Sequence, residues 1–96
     1  MRLVVAVLAL VALPAAASTT ASYAALDKRS AAACVTAAGL KRSKIGPAVR
    51  FSDTLLIDAR VVTGTWPQKH MKGASATMLC LYHRKTGAVE VQEAAR

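Results

Sequence analysis

Apolar and polar residues alternate along much of the second half of the chain, with the period of two that is typical of β-strands. The alternation predicts four strands, at residues 48–51, 55–65, 76–84 and 88–93. Strands that follow each other in the chain usually lie side by side. We therefore expect an antiparallel meander.

Two alternating sets of side chains lie on opposite faces of the strand predicted at residues 55–65. The first set is predicted to face the core: Leu55, Ile57, Ala59, Val61 and Thr63. The second set includes Asp58 and Arg60, which are predicted to point away from the core. In the strand at residues 76–84, Met78, Cys80 and Tyr82 share a face. Apolar residues also occupy its other face, which is typical of a strand covered on both sides.

An alanine-rich segment precedes the strands and predicts a helix over residues 23–38. Spacings of three and four bring one set of side chains to a single face: Leu26, Ser30, Ala33, Cys34 and Ala37. Gly39 suits a left-handed C-cap, and residues 41–44 are predicted to be a short basic linker. The expected fold class is α+β, with one N-terminal helix packed on an antiparallel meander of four strands.

The first 17 residues have the three parts of a secretory signal peptide. Arg2 is the basic start, residues 3–13 are an apolar run without charge, and Pro14 precedes small residues at 15–17. A membrane-spanning helix needs about 20 apolar residues, so this run is too short for a good anchor. An uncleaved interfacial anchor is the alternative interpretation.

Export follows from this interpretation. We expect cleavage near Ala17 and a periplasmic or secreted mature protein, with a flexible leader at residues 18–22 and a single small domain at residues 23–96. A lipid-anchored lipoprotein is disfavoured because the first cysteine is Cys34, far from the cleavage point.

The chain has two cysteines, Cys34 and Cys80. In an oxidising compartment such a pair favours a disulfide, and two reduced, buried cysteines that act as small hydrophobes are the alternative. A metal site built from both cysteines with His70 and His83 is disfavoured, because structural zinc sites bring their cysteines in close pairs. We predict no metal and no cofactor.

The chain is strongly basic, with 13 Lys and Arg residues against 5 Asp and Glu. Loss of Arg2 with the signal peptide leaves 12 − 5 = +7 on the mature protein. Such a charge attracts polyanions, and outside the cytoplasm the candidates are anionic lipid, lipopolysaccharide and acidic proteins. Nucleic acid is disfavoured as a partner. The alternative is a basic surface without any ligand.

One predicted loop combines an indole with cations, a combination that can bind lipid headgroups, sugar phosphates or an acidic protein. Its candidate binding residues are Trp66, Lys69, His70 and Lys72. A second basic cluster comprises Lys41, Arg42 and Lys44. The sequence leaves open whether the two clusters meet, and the alternative for the loop is that Trp66 folds back over the edge of the sheet.

Catalytic motifs are absent from the sequence. The carboxylates form no recognisable acid–base pair by spacing, and no Gly-rich phosphate loop, G-x-S-x-G or C-x-x-C is present. We therefore predict that the protein is not an enzyme.

The signal peptide, the alanine-rich helix with one cysteine, and the run Cys80-Leu81-Tyr82 followed by Arg84-Lys85-Thr86-Gly87 resemble small exported proteins of proteobacteria. The resemblance implies no activity and no functional residue. Our leading hypothesis is a small basic module that binds an anionic envelope surface or an acidic protein. The alternatives are a structural or regulatory accessory protein that binds through a sheet edge, and an enzyme-inhibitor or small-ligand module.

Overall fold

The computed structural model describes residues 20–94 of the 96-residue chain. The predicted signal peptide lies outside the described residues. In chain order the elements are helix α1 (Thr20–Ala38) and strands β1 (Lys41–Ile45), β2 (Val49–Arg50), β3 (Ile57–Thr65), β4 (Ser75–His83) and β5 (Val89–Glu93), with a short 3₁₀ helix (Lys69–Met71) between β3 and β4. Helix α1 begins at Thr20, three residues before the start predicted from the sequence.

All strand pairs are antiparallel, and the strand order is β1–β3–β4–β5, with β2 also paired to β3. Because β4 pairs with the whole length of β3, β1 and β2 share the opposite edge of β3. They form one edge strand that is interrupted at Gly46 and Pro47. Helix α1 packs against this sheet, so the predicted α+β fold of one helix on an antiparallel meander is confirmed.

The core lies between α1 and the sheet. Its buried centre consists of Cys34, Val62, Met78, Cys80 and Tyr82. The Sγ atoms of Cys34 and Cys80 are 2.10 Å apart and their Cα atoms 5.8 Å apart, so the predicted disulfide is confirmed. A chain this short has a thin core, and this bond ties the middle of the helix to the central strand β4.

The faces of the sheet are the reverse of the predicted ones. Asp58 is fully buried and Arg60 is only 7% exposed beneath α1, whereas Val61, predicted to face the core, is 43% exposed. Strand β4 is covered on one side only, since Leu79 and Leu81 are 43% and 40% exposed. The predicted core face of β3 is therefore wrong, and the helix covers the face that carries the charges.

Hydrogen bonds explain how Asp58 is buried as an anion. Nε and Nη2 of Arg50 each donate to one carboxylate oxygen at 3.1 Å, and Nη1 of Arg84 donates to Oδ1 at 2.8 Å. Burial alone would raise the pKa of Asp58, but the hydrogen bonds and charges of Arg50 and Arg84 together outweigh it and lower the pKa below its ordinary value. The hydrogen bond to Asp58 also raises the pKa of Arg50.

Arg60 is satisfied in a similar way. Its Nε donates to Oγ of Ser30 at 2.9 Å, its Nη1 to the carbonyl of Gly46 at 2.6 Å, and its Nη2 to the carbonyl of Asp27 at 3.0 Å. These bonds join β3 to α1 and to the interruption between β1 and β2. The polar face of β3 can lie under the helix because its buried charges have partners.

Two segments also differ from their predicted conformation. Residues 41–44, expected to be a linker, belong to β1, where an exposed edge tolerates basic side chains. The strand expected at residues 48–51 is shorter in the structure, where β2 comprises only Val49–Arg50, because the chain turns after Arg50. There the N–H groups of Leu55 and Leu56 both donate to the carbonyl of Ser52. Leu55 is consequently 57% exposed and is not a core residue.

We expect the variant Cys34→Ala/Cys80→Ala to lose about 4 kcal/mol of unfolding free energy, because the bond closes a loop between residues 46 positions apart. Urea unfolding of wild type and variant measures the loss. Alkylation without reductant should leave the intact mass of the wild type unchanged, and a mass with two adducts would contradict the bond.

Acid should destabilise the protein through Asp58. Its pKa is lower in the folded than in the unfolded chain, so its contribution to stability is complete above the unfolded pKa of about 3.9 and is lost as the pH falls through the folded pKa. Asp58→Asn should lower the unfolding free energy by about 3 kcal/mol at neutral pH, because Arg50 and Arg84 lose a buried anion.

Urea unfolding of Asp58→Asn and wild type between neutral and acidic pH tests this, and the difference should shrink below about pH 4. The control is Asp53→Asn, which removes a fully exposed carboxylate that also contacts Arg84. This control should be nearly as stable as wild type. Equal effects of the two substitutions would contradict the role assigned to Asp58.

Candidate functional site

The basic residues predicted to bind an anion come from β1 and from the loop at residues 66–74. These two segments meet at the same end of the sheet. Lys41 pairs with Thr65, and Thr65 pairs with Ser75. The start of β1 therefore lies beside the end of β3 and the start of β4, where the loop leaves and re-enters the sheet. We call this region the basic end.

Trp66 anchors the loop at the basic end. Its backbone N–H donates to the carbonyl of Ala74 at 2.9 Å, which closes the base of the loop. Its half-buried side chain packs against the core cluster and also lines a surface cleft. The indole is therefore held in place by the core, and its remaining surface lies in the cleft.

The loop is a structured turn. The N–H of Met71 donates to the carbonyl of Gln68, and that of Lys72 donates to the carbonyl of Lys69, both at 3.0 Å. Lys72 ends this 3₁₀ turn in the left-handed region with φ 53°. The turn brings the exposed side chains of Lys69 and Lys72 to the cleft.

The other wall of the cleft comes from β1. The pairing of β1 with β3 is irregular between Lys41 and Lys44, and Arg42 within this bulge has φ 54°. Bulges redirect side chains at the edge of a sheet. Both Lys41 and Arg42 line the cleft.

The cleft thus joins the two basic clusters that the sequence left separate. It has a volume of about 300 Å³, at the small end for ligand sites. Its lining residues are Lys41, Arg42, Thr65, Trp66, Pro67, Gln68, Lys69, Lys72 and Gly73. No carboxylate of the described residues is among them, so its four cations leave a strongly positive rim.

The cations of the cleft form no salt bridge within the described residues. Within residues 20–94 the salt bridges join Arg50, Arg60 and Arg84 to aspartates, and none involves a cation of the cleft. Asp58, which forms salt bridges with Arg50 and Arg84, lies seven residues along β3 from Thr65, or about 24 Å. That distance exceeds the Debye length of about 8 Å at physiological salt.

Two predicted site residues lie outside this cleft. His70 faces a second, shallower depression, which it shares with Trp66, Gln68 and Met71. Lys44 pairs with Thr63 and lies on the uncovered side of the sheet. Thr65 and Gln68 also line the cleft and were not predicted from the sequence, because only the closure of the hairpin brings these neutral hydrogen-bonding groups there.

No group of three or more His, Cys, Asp or Glu side chains within residues 20–94 is placed to hold a metal ion. No helix in the same range is long and apolar enough to cross a membrane.

No family model, curated protein or solved structure matches this chain significantly. The resemblance to small exported proteins therefore stays a prediction.

Two cleft cations occupy backbone positions that favour glycine, which allows charge to be removed without loss of stability. Arg42→Gly/Lys72→Gly should be more stable than Arg42→Ala/Lys72→Ala by about 1 kcal/mol, because alanine keeps the Cβ that crowds a left-handed residue. Both pairs remove the same two charges, so urea unfolding isolates the backbone effect. Equal stabilities would contradict the left-handed geometry.

Proposed function

We propose that this protein is an exported binding module that attaches to an anionic surface of the cell envelope through the basic end. The observation that carries the proposal is the cleft in which Trp66 lies among Lys41, Arg42, Lys69 and Lys72. Clustered cations without acidic partners attract a polyanion.

The chemistry of the cleft suits phosphate headgroups of lipid or lipopolysaccharide. The ammonium groups of lysine act as point charges for phosphate, and the guanidinium of Arg42 can donate two parallel hydrogen bonds. Tryptophan is enriched where apolar and wet regions of a membrane meet, because its ring is apolar and its N–H polar. The cleft contains both kinds of group: exposed cations that suit phosphate, and a half-buried indole that suits the boundary between membrane and water.

A binding role is proposed rather than a catalytic one. The groups around the cleft are cations, an indole, a hydroxyl and an amide. Hydrolysis by a protein site uses a nucleophile with a base, paired carboxylates or a metal. The cleft therefore favours recognition of charge over bond cleavage.

Export is part of the proposal. The signal-peptide pattern of residues 1–17 predicts it, and the Cys34–Cys80 disulfide suits an oxidising compartment. An exported basic module meets lipid headgroups and lipopolysaccharide phosphates as its nearest polyanions.

Fluorescence of Trp66, the only tryptophan in the sequence, tests the proposal. We expect the emission of the mature protein to shift to the blue with phosphatidylglycerol-containing vesicles and not with phosphatidylcholine vesicles. Added salt should reverse the shift, because it screens exposed charges. Lys69→Glu/Lys72→Glu should abolish it.

The matched control is Lys28→Glu/Arg29→Glu, which changes the net charge equally at exposed positions of α1. This control should keep most of the vesicle binding. If it loses binding as completely as the loop variant, total charge and not the cleft is responsible. An emission that no vesicle changes would reject the anionic surface, and binding that resists salt would favour a protein partner at a sheet edge.

A further inference from the structure

The cleft at the basic end has two charged walls. The first, which we call the strand wall, carries Lys41 and Arg42 from β1. The second, which we call the loop wall, carries Lys69 and Lys72 from the loop between β3 and β4. Each wall therefore holds two positive charges, and all four side chains are exposed.

The strand wall is fixed by an unusually close approach of β1 to β3. A Cβ at Gly64 would lie 2.6 Å from the carbonyl oxygen of Lys41 and 2.9 Å from the Cβ of Leu40. Both distances are far below the separation of about 3.5–4.0 Å at which carbon atoms pack. Only glycine therefore lets the start of β1 lie this close to β3. The Oγ of Ser43 donates to the carbonyl of Leu40 at 2.9 Å and holds the bulge that carries Arg42.

The loop wall is fixed by its own hydrogen bonds. Lys69 and Lys72 lie at the two ends of one turn, which closes through the N–H of Lys72 and the carbonyl of Lys69 at 3.0 Å. The bond from the N–H of Trp66 to the carbonyl of Ala74 attaches this loop to the end of the sheet. Both walls are thus in place before a ligand arrives, and a preorganised site loses less free energy on binding.

The charge and size of the cleft limit the kind of anion that matches it. A phosphodiester carries one negative charge, so a single one leaves at least one of the two walls without an anion. No carboxylate of the described residues lines the cleft to supply the missing charge. The volume of about 300 Å³ is that of a small-ligand pocket, which is more than one phosphate group requires.

We propose that the cleft binds a headgroup with two phosphates, one at the strand wall and one at the loop wall, and that Gly64 sets the distance between the walls. The guanidinium of Arg42 suits two parallel hydrogen bonds to a phosphate, and the lysines act as point charges. Once one phosphate is bound, a second phosphate on the same headgroup is already near the other wall. The joined pair therefore binds more tightly than two separate phosphates.

Two envelope lipids share this chemistry. Diphosphatidylglycerol has two phosphates joined by a glycerol, and the lipid A of lipopolysaccharide has two phosphates on its sugars. The inference rests on the proposed function, since it specifies the anion at the same cleft. It adds a preference between headgroups of equal charge, which attachment to an anionic surface alone does not require.

Vesicle titrations followed by Trp66 emission test the inference on the mature protein. Phosphatidylcholine vesicles contain either diphosphatidylglycerol or twice as many moles of phosphatidylglycerol, so that the phosphate charge is equal. We expect the affinity for diphosphatidylglycerol to be about tenfold higher. A second pair of vesicles contains bisphosphorylated or monophosphorylated lipid A, again at equal phosphate. The ratio of affinities within a pair is the two-phosphate preference, and the pair with the larger ratio identifies the source of the headgroup.

Gly64→Ala tests the positioning role of Gly64. It keeps all four cations but forces the strand wall away, so the two-phosphate preference should fall to about one while binding to phosphatidylglycerol persists. The matched control is Gly46→Ala at the other end of β1, where a Cβ would lie 3.3 Å from the carbonyl oxygen of Val61. This control should keep the preference. A general loss of stability lowers binding to both vesicles of a pair equally and leaves their ratio unchanged.

Single charge removals test each wall without a change in backbone packing. Lys41→Gln and Lys69→Gln should each lower the two-phosphate preference about threefold, because one wall then keeps only one of its charges. The control is Lys28→Gln, which removes the same charge from an exposed position of α1 and should leave the preference unchanged. Circular dichroism and the intact disulfide mass establish that each variant is folded.

A wild type that binds both vesicles of each pair equally would overturn the inference, while its binding to phosphatidylglycerol would leave the proposed function standing. A preference that persists in both Lys41→Gln and Lys69→Gln would also overturn it. Absence of binding to every anionic vesicle would reject the proposed function and the inference together. The three results are distinguishable within one set of titrations.

Discussion

The buried carboxylate of Asp58 is the constraint on which the rest of the structure depends. Its hydrogen-bond partners are Arg50 in β2 and Arg84, the residue that follows β4. A buried ion is tolerated only with partners, so these residues fix β2, β3 and the end of β4 relative to one another. Arg60 of β3 donates a hydrogen bond to Ser30 of α1 and so connects the helix to the same buried face. The helix is thereby directed to the charged face of the sheet, and the disulfide fastens it there.

The network divides the charged residues into two groups. The arginines Arg50, Arg60 and Arg84 neutralise aspartates and hold the fold together, a role that suits their several fixed donors. The cations of the basic end have no such partners in the described residues. The apolar side chains of β3 and β4 are left facing outward, and so the molecule presents one charged end and one apolar face.

The sequence predicted the architecture correctly, because period-two alternation and the helical spacing around Cys34 are local signals. It failed on the side of β3 that is covered. Both faces of that strand carry apolar residues, and Asp58 and Arg60 look like solvent-exposed positions until their partners are known. Those partners come from Asp27, Ser30, Arg50 and Arg84, which are distant in the chain. The basic residues were found individually, but their convergence on one cleft depends on the register between Lys41 and Thr65, which no local pattern specifies.

The most direct test is a carboxyl ¹³C NMR titration of Asp58 in the mature protein. The account predicts that Asp58 remains an anion below the ordinary aspartate pKa of about 3.9, since Arg50 and Arg84 outweigh its burial. Its signal should change only at lower pH, together with unfolding. A titration midpoint at or above the ordinary value in the folded protein would mean that the carboxylate is not held by the arginines. The orientation of the sheet beneath the helix would then be wrong.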